Sequence, residues 1–203
     1  MTTNPRIAFF DGIAVKWDGW EELEALGHKL AAGLDELGVG VNECVLDVGC
    51  GTGNLTLALL ARLSDRGRVV AVDIAQRMID VARVKIADER VVWHTVDARR
   101  LPLEDGSCDR VICCSVWPHF EDPGEVAAEL SRVLRPGGLL HVWHLIQRER
   151  VNAIHASADE AVRGDVLAPA RETAKLLAGA GFLISTAVET AERYLVTARK
   201  AMR

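Results

Sequence analysis

The sequence predicts an α/β fold with a mostly parallel seven-stranded sheet, helices on both faces of the sheet and an antiparallel hairpin at its C-terminal end. Three observations lead to this prediction. Short apolar runs rich in β-branched residues alternate with longer helix-forming stretches, which is typical of parallel strands joined by right-handed crossovers. A glycine-rich turn follows the first of these runs. The last two β-type stretches lie close together in the chain, and such strands pair as a hairpin.

The chain of 203 residues is long enough for one α/β domain and too short for two ordinary ones. The predicted strands lie near residues 43–48, 68–73, 91–96, 108–114, 137–145, 181–189 and 193–199. The predicted helices lie near residues 19–37, 53–64, 75–87, 122–134 and 168–179. Pro136-Gly137-Gly138 is expected to end the fourth of these helices sharply before the fifth strand, because proline and glycine interrupt helices.

Composition argues against several functional classes. No apolar run approaches the roughly 18 residues that a membrane span requires, and the N-terminus lacks a signal-peptide core. We therefore expect a cytoplasmic protein that does not bind membranes. The net charge of −5 argues against broad binding to nucleic-acid phosphates. The five cysteines form no C-x-x-C pair, and we expect them to be buried, reduced thiols.

The most informative segment is the turn Asp47-Val48-Gly49-Cys50-Gly51-Thr52-Gly53-Asn54, which follows an apolar run and precedes a helix-forming one. Glycines at alternate positions allow positive φ angles and bring bare backbone close to a ligand. A phosphate-binding Walker loop would need Gly-Lys-Ser/Thr, which is absent. A dinucleotide-binding G-x-G-x-x-G pattern fits Gly49 and Gly51 but finds Asn54 in place of its third glycine.

This segment resembles motif I of the class I S-adenosylmethionine (SAM)-dependent methyltransferases, which have a Rossmann-like fold. In that family the loop surrounds the amino-acid end of SAM, and the acidic residue contacts it directly or through water. The resemblance therefore implies SAM as the cofactor. The cofactor-binding residues that it implies here are Asp47, Gly49, Cys50, Gly51, Thr52 and Asn54. The alternative is a purely structural turn.

Acidic residues at the ends of the next two predicted strands extend the resemblance. Asp73 ends the second strand roughly 20 residues past the glycines, where an acid that binds ribose hydroxyls lies in such folds. The run from Asp73 to Met78 looks like motif II, which implies that Ile74 and Met78 pack near adenine; Met78 alone could equally be a core residue. Asp97-Ala98 ends the third strand and is implied to bind adenine. Ser115, after the fourth strand, is a further cofactor-binding candidate.

Two segments are candidates for covering an acceptor site within the single methyltransferase domain predicted for residues 1–203. Phe9 to Asp18 resembles the lid at the start of many small-molecule methyltransferases, of the methyltransferase domain 11 or quinone-biosynthesis type, so residues 1–40 are predicted as N-terminal cap or lid helices. Phe10, Ile13 and Trp17 would give this helix one apolar face, which could also simply pack on the domain. Residues 145–168 are predicted to be an acceptor-site lid insertion.

Three histidines are predicted as catalytic residues, because imidazole is a base near neutral pH. His119 lies in the loop after the fourth strand, where the family often carries a His-Phe pair. His144 ends the fifth strand, and His155 shares a helical face with Asn152 in a segment that also contains Asp159-Glu160 and Gly164-Asp165. The alternatives are solvated histidines or part of a metal site. A metal usually needs three or four ligands, and no metal is predicted.

The sulfonium of SAM makes its methyl group electrophilic, so the expected reaction is attack by an acceptor atom with release of S-adenosylhomocysteine. We expect a monomer or homodimer that methylates a small molecule. The resemblance concerns cofactor binding rather than chemistry, so two alternatives stay open. One is a metalloid or thiol methyltransferase that uses Cys113 and Cys114. The other is a SAM-binding protein without transferase activity.

Overall fold

The computed structural model describes residues 4–202. The strands are β1 (Cys44–Val48), β2 (Arg68–Asp73), β3 (Val91–Thr95), β4 (Cys108–Cys114), β5 (Leu134–His144), β6 (Phe182–Glu189) and β7 (Tyr194–Lys200). The α-helices are α1 (Pro5–Trp17), α2 (Leu23–Glu36), α3 (Asn54–Arg62), α4 (Gln76–Lys85), α5 (Pro123–Val133), α6 (Arg148–Ala156), α7 (Glu160–Arg163) and α8 (Ala170–Gly179). Short 3₁₀ helices cover Asp18–Trp20 and Trp117–His119.

The seven strands form one sheet in the order β3-β2-β1-β4-β5-β7-β6. The pairs β1–β2, β2–β3 and β4–β5 are parallel. Strand β7 pairs antiparallel with both β5 and β6. The predicted α/β fold, with a mostly parallel seven-stranded sheet and a C-terminal antiparallel hairpin, is confirmed.

The chain divides into two compact units. The first unit ends at Asp97, and the second begins at Ala98. The first contains β1–β3 and α1–α4. In this unit the predicted apolar face of α1 is observed, because Phe10, Ile13 and Trp17 pack against the buried residues Ala75 and Met78 at α4. Helix α1 is therefore attached to the unit by apolar contacts.

The second unit contains β4–β7 and α5–α8. Helix α5 begins at Pro123 because the side chain of Asp122 accepts hydrogen bonds from the backbone N–H groups of Gly124 and Glu125, and proline is well suited to a first helical position. The apolar side of α5 includes Leu130, which is 0% exposed.

Two element boundaries differ from the sequence prediction. The fifth strand begins at Leu134, so Pro136-Gly137-Gly138 lies within β5 rather than before it. The pairing register between β4 and β5 shifts at this point, and Gly137 has φ of +76°, so the turn residues form an irregularity in the strand. The predicted helix 19–37 is divided, because Glu21 is extended and α2 begins at Leu23.

Within residues 4–202, no helix has both the length and the apolar character needed to cross a bilayer. Of the five cysteines, Cys50, Cys108 and Cys113 are buried, and Cys44 and Cys114 are half-buried. Burial raises the pKa of the Cys50 thiol well above its usual value, and the carboxylates of Asp47 and Asp73 raise it further. Cys50 therefore stays protonated and behaves as a small apolar side chain.

Candidate functional site

The glycine loop between β1 and α3 has the backbone conformation that its sequence predicts. Gly49, Gly51 and Gly53 have φ angles of 68°, 52° and 84°, which other residues rarely adopt. The N–H groups of Gly49 and Cys50 both donate to the carbonyl oxygen of Val72, at 2.8 and 3.0 Å. A Cβ atom at Gly53 would lie 2.9 Å from Cδ1 of Ile86, so a side chain at this position would require Ile86 to move. The loop is thus anchored to β2 and closely packed.

Asp73, at the end of β2, binds this loop directly. Its Oδ2 accepts a hydrogen bond from the Gly51 N–H at 2.9 Å, and its Oδ1 accepts one from the Ala75 N–H at 2.9 Å. A carboxylate oxygen can accept more than one hydrogen bond. The half-buried Asp73 can therefore hold the loop and also accept hydrogen bonds from the hydroxyl groups of a sugar.

Asp47, near the end of β1, is fully buried. Its Oδ2 accepts a hydrogen bond from Oγ1 of Thr56 at 2.7 Å, whereas its Oδ1 has no hydrogen-bond partner among the described residues. Burial first, and the charge of Asp73 second, raise the pKa of Asp47 to about 7. A buried carboxyl oxygen without a partner fits a ligand that carries an ammonium group, as the methionine part of SAM does. In this conformation an ammonium group can reach Oδ1 of Asp47 only after the atoms that cover this oxygen move.

Thr52 and Asn54 are held by the N-terminal segment through Asp18. Oγ1 of Thr52 and Nδ2 of Asn54 donate to Oδ1 of Asp18, at 2.5 and 3.0 Å. Nζ of Lys85 donates to Oδ2 of Asp18 and to Oδ1 of Asn54, both at 2.8 Å. We call these four residues the Asp18 cluster. Partial burial opposes ionisation of Asp18, but hydrogen bonds from Lys85, Thr52 and Asn54 outweigh it and lower its pKa.

Asp18→Ala is expected to loosen α1, because it removes three hydrogen bonds to a charged acceptor. We expect faster amide hydrogen exchange in α1 and a free energy of unfolding lower by about 1–2 kcal/mol. Exchange mass spectrometry and urea denaturation measure the two effects. Lys16→Ala, which removes an exposed side chain of the same helix, is the control. Unchanged exchange in Asp18→Ala would show that apolar packing alone holds α1.

The remaining predicted cofactor residues differ in exposure. In the first unit, Ile74 and Asp97 are half-buried, and Met78 is 2% exposed and packs in the apolar cluster with α1. In the second unit, Ala98 is buried. Ser115 is exposed, has φ of 57°, and donates its N–H to the carbonyl oxygen of Trp143 at 2.8 Å. A non-glycine residue in the left-handed region is a strained position, which is often found at functional sites.

Two of the three predicted catalytic histidines meet in the second unit. Nδ1 of His119 lies 2.6 Å from Oδ2 of Asp165, and Nδ1 of His155 lies 2.7 Å from the backbone oxygen of Asp165. The two imidazole rings are 4.8 Å apart, measured between their centroids. Asp165 therefore binds both histidines, one through its side chain and one through its backbone.

His144 lies near these residues but is 1% exposed. Burial first, and the nearby His119 and His155 second, lower its pKa to about 3. Its ring centroid is 5.5 Å from that of Tyr194, and its Nε2 has no hydrogen-bond partner within residues 4–202. His144 is thus a neutral imidazole that an acceptor does not reach in this conformation, and its catalytic role stays a prediction.

The side-chain amide of Asn152 binds the backbone of Leu167. Its Oδ1 accepts a hydrogen bond from the N–H of Leu167 at 2.8 Å, and its Nδ2 donates to the carbonyl oxygen of Leu167 at 3.2 Å. We call this pair of bonds the Asn152 clamp. It ties helix α6 to the segment that carries Asp165. In the described part of the chain, no group of three or more His, Cys, Asp or Glu residues is arranged to hold a metal ion.

Asp165 and Asp18 were not among the predicted site residues. Both lie in segments that the sequence marks as possible lids, and each follows or precedes a glycine. Nothing in the spacing distinguishes Asp165 from the neighbouring acids Asp159 and Glu160, because these residues lie in irregular chain and short helices without a period.

The fold and the glycine loop are those of the class I, SAM-dependent methyltransferases. Residues 46–142, from β1 into β5, match the family model described as a methyltransferase domain. SAM is the cofactor of this class. The recognition of the class and of its cofactor from the sequence is confirmed.

Several curated proteins are similar to this chain. A 37.1 kDa protein in a transposon of Streptomyces fradiae is 35% identical over 167 residues, which cover 76% of this chain and 48% of that protein. An uncharacterised methyltransferase of Mycobacterium bovis is 44% identical over 49% of this chain and 39% of its own length. The ubiquinone/menaquinone biosynthesis C-methyltransferase of Hahella chejuensis is 34% identical over 66% of this chain and 56% of its own length. The chain thus spans about half the length of the relatives it matches.

Solved structures share the fold. A SAM-dependent methyltransferase from Aquifex aeolicus superposes with a TM-score of 0.76 and 21% identity, and covers 93% of this chain and 97% of that one. The [4+2]-cyclase SpnF superposes with a TM-score of 0.72 and 20% identity, and covers 87% and 82%. At these identities the comparison concerns the fold alone, and a cyclase shares it with methyltransferases.

Proposed function

We propose that this protein transfers the methyl group of SAM to a small-molecule acceptor and releases S-adenosylhomocysteine. The observation that carries the proposal is the glycine loop of residues 49–53, which is bound by the carboxylate of Asp73 at its Gly51 N–H. Asp47, buried beside this loop with an oxygen that lacks a partner, supports it. Both features fit a cofactor that has a ribose and an ammonium group.

SAM supplies an electrophilic methyl group. In the proposed function the loop backbone from Gly49 to Gly53 surrounds the methionine part, Asp73 accepts hydrogen bonds from the ribose hydroxyls, and Asp97 accepts one from adenine. Positioning of the two reactants can lower the barrier by up to about 7–11 kcal/mol in well-oriented systems. His119 and His155 are the candidates for taking a proton from the acceptor, because burial lowers the pKa of His155 and a neutral imidazole can accept a proton.

A small-molecule acceptor is supported by the similarity to relatives such as the C-methyltransferase of ubiquinone and menaquinone biosynthesis. The net charge of −5 gives no support to an acceptor in nucleic acid. The cytoplasmic location, the state of monomer or homodimer, and the role of the N-terminal helices as a lid stay predictions.

The two alternatives have different support. A SAM-binding protein without transferase activity is the second candidate, because SpnF has the same fold and is a cyclase. A metalloid or thiol methyltransferase that uses Cys113 and Cys114 is less well supported, since Cys113 is 0% exposed within β4.

Two measurements test the proposed function. Isothermal titration calorimetry with SAM and with S-adenosylhomocysteine is expected to show binding of both at one site. Release of S-adenosylhomocysteine is then followed with a panel of phenols, thiols, amines and carbon acids. Binding of SAM with no release for any acceptor would favour the non-transferase alternative. Absence of binding would contradict both.

A further inference from the structure

The N-terminal helix supplies carboxylates to the beginnings of two other helices in the first unit. Asp18, the C-cap residue of α1, accepts hydrogen bonds from Thr52 and Asn54 where α3 begins. Asp11 accepts a hydrogen bond at 2.8 Å from the N–H of Arg77 in the first turn of α4. The seven residues between the two acids make about two helical turns, so both acids lie on the same side of α1. One helix therefore contacts the chain after β1 and the chain after β2.

Helices α3 and α4 begin at residues that cannot cap them through a side chain. Their N-cap residues are Gly53 and Ala75, whose side chains carry no hydrogen-bonding group. The N–H groups at the start of a helix carry partial positive charge, which a nearby carboxylate stabilises. Asp18 and Asp11 thus supply from α1 the negative charge that a capping residue usually supplies within its own helix.

The Asp18 cluster is largely withdrawn from solvent. Thr52 is 1% exposed, and the side chains of Asp18 and Lys85 are 23% and 24% exposed. A buried hydroxyl group that loses its acceptor is costly, so the position of Thr52 depends on the carboxylate. Nζ of Lys85 joins Asp18 to Asn54 and thereby fixes the orientation of that carboxylate. Loss of Asp18 would therefore allow the glycine loop to change conformation.

The two acids hold segments that the proposed function assigns to the cofactor. Thr52 and Asn54 belong to the loop that is proposed to surround the methionine part of SAM. Arg77 lies four residues after Asp73, whose carboxylate is proposed to bind the ribose. Apolar contacts reinforce the second attachment, because α1 also packs against Ala75 in the turn between these two residues.

We propose that residues 5–18 form a strap that holds both cofactor loops, and that Asp18 and Asp11 are positioning residues that raise the affinity for SAM through these loops. This inference rests on the proposed function. The strap is then part of the cofactor site rather than a separate cover, and its attachment and the binding of SAM are coupled. By reciprocity, a strap that strengthens the binding of SAM is itself held more firmly when SAM is bound.

Isothermal titration calorimetry with SAM and with 5′-methylthioadenosine, which lacks the amino-acid part, tests each acid separately. Asp18→Ala is expected to weaken binding of SAM about 10-fold or more, and that of 5′-methylthioadenosine much less, because Asp18 holds the loop around the methionine part. Asp11→Ala is expected to weaken binding of both by about 5-fold or more, because it acts on the turn after β2. Glu21→Ala, which removes an exposed acid three residues after Asp18, is the matched control and should change neither.

Two milder variants test whether the carboxylate itself is required. Asp18→Asn keeps an acceptor oxygen for Thr52 but loses the ion pair with Lys85, so its affinity for SAM should lie between those of wild type and Asp18→Ala. Lys85→Met leaves the carboxylate in place and removes its tie to Asn54, and should also give an intermediate affinity. The melting temperature of each variant identifies any that fails to fold, and these two then carry the test.

Exchange mass spectrometry with and without saturating SAM tests the coupling. In wild type, SAM is expected to slow amide hydrogen exchange in residues 5–17, and in Asp18→Ala this slowing should be smaller. Lys16→Ala, an exposed substitution in the same helix, should behave as wild type. A helix that merely packs on the unit would open locally at the same rate with and without SAM.

The outcomes separate this inference from the proposed function. Wild-type affinity for SAM in both Asp18→Ala and Asp11→Ala, or exchange in α1 that does not respond to SAM, would overturn the strap and leave the proposed function standing. Equal losses for SAM and 5′-methylthioadenosine in Asp18→Ala would contradict a local action on the glycine loop. Failure of the wild-type protein to bind SAM would contradict the proposed function, and this inference with it.

Discussion

Asp73→Ala is expected to weaken SAM binding about 100-fold or more while leaving the protein folded. Hydrogen bonds to a charged group contribute about 1.5–3 kcal/mol each, so loss of two ribose contacts removes roughly 3 kcal/mol or more. The same change also removes the acceptor of the Gly51 and Ala75 N–H groups, so the glycine loop loses its attachment at this point. Isothermal titration calorimetry measures the dissociation constant, and circular dichroism checks the fold.

Two further variants separate the contributions of Asp73. Asp73→Asn keeps one acceptor oxygen and places an amide donor at the other position, so its affinity for SAM should lie between those of wild type and Asp73→Ala. Asp80→Ala removes an exposed carboxylate on α4 that binds only Gln76 among the contacts described for it, and should leave binding unchanged. Wild-type affinity in Asp73→Ala would show that Asp73 supports the loop without contacting the cofactor.

In the absence of cofactor, Asp47→Asn is expected to raise the free energy of unfolding at pH 8 but not at pH 4. The pKa of Asp47 is about 7 in the folded protein, because of burial first and the charge of Asp73 second, against about 3.9 in the unfolded chain. Folding therefore favours the protonated form, and the free energy of unfolding falls as pH rises from about 4 to about 7, then levels off. Above pH 7, ionisation of the buried Asp47 lowers the free energy of unfolding by about 4 kcal/mol in total.

Asparagine is neutral at all these pH values and can still accept the hydrogen bond from Thr56. The N–H₂ group of the asparagine side chain takes the place of Oδ1 of Asp47, which has no hydrogen-bond partner among the described residues. Burying this unpaired N–H₂ group costs about 1–3 kcal/mol. The expected net gain at pH 8 is about 1–3 kcal/mol, and a loss of similar size is expected at pH 4. Urea denaturation at both pH values measures the difference, with Asp80→Asn as the exposed control. A difference that does not depend on pH would show that Asp47 ionises freely in the folded protein.

The same variant should bind SAM more weakly, because an amide cannot replace a carboxylate beside an ammonium group. A gain in stability together with a loss of affinity would mark Asp47 as a residue retained for binding rather than for folding.

The order of strands and helices could be predicted because local signals agreed with one another. Valine-rich runs defined β1 and β2, and the glycine turn between β1 and α3 required the positive φ angles that are observed. The start of β5 could not be predicted, because Pro136-Gly137-Gly138 reads as a turn in isolation. Pairing of Leu134 with Cys108 of β4 overrides this local preference and extends the strand back to Leu134.

The candidate site was predictable where motif spacing determines position. Asp73 could be placed because the end of a second parallel strand lies next to the loop after the first. The contacts of Asp18 with Thr52 and of Asp165 with His119 join residues 34 and 46 positions apart. No periodicity connects residues at such separations in irregular chain, so these contacts require the three-dimensional structure. Burial of His144 likewise depends on Tyr194, which belongs to the strand beside it.

The Asn152 clamp fixes the two segments that carry His155 and Asp165, whereas the sequence of the chain between these two residues is less constrained. Between the two ends of the clamp, residues 156–161 and 163–164 are mostly exposed, whereas Val162 and Asp165 are buried. Lengthening a surface loop costs little conformational entropy when its ends are already fixed. Substitutions and insertions near Ser157 can therefore accumulate during evolution without displacing the contacts of Asp165 with His119 and His155.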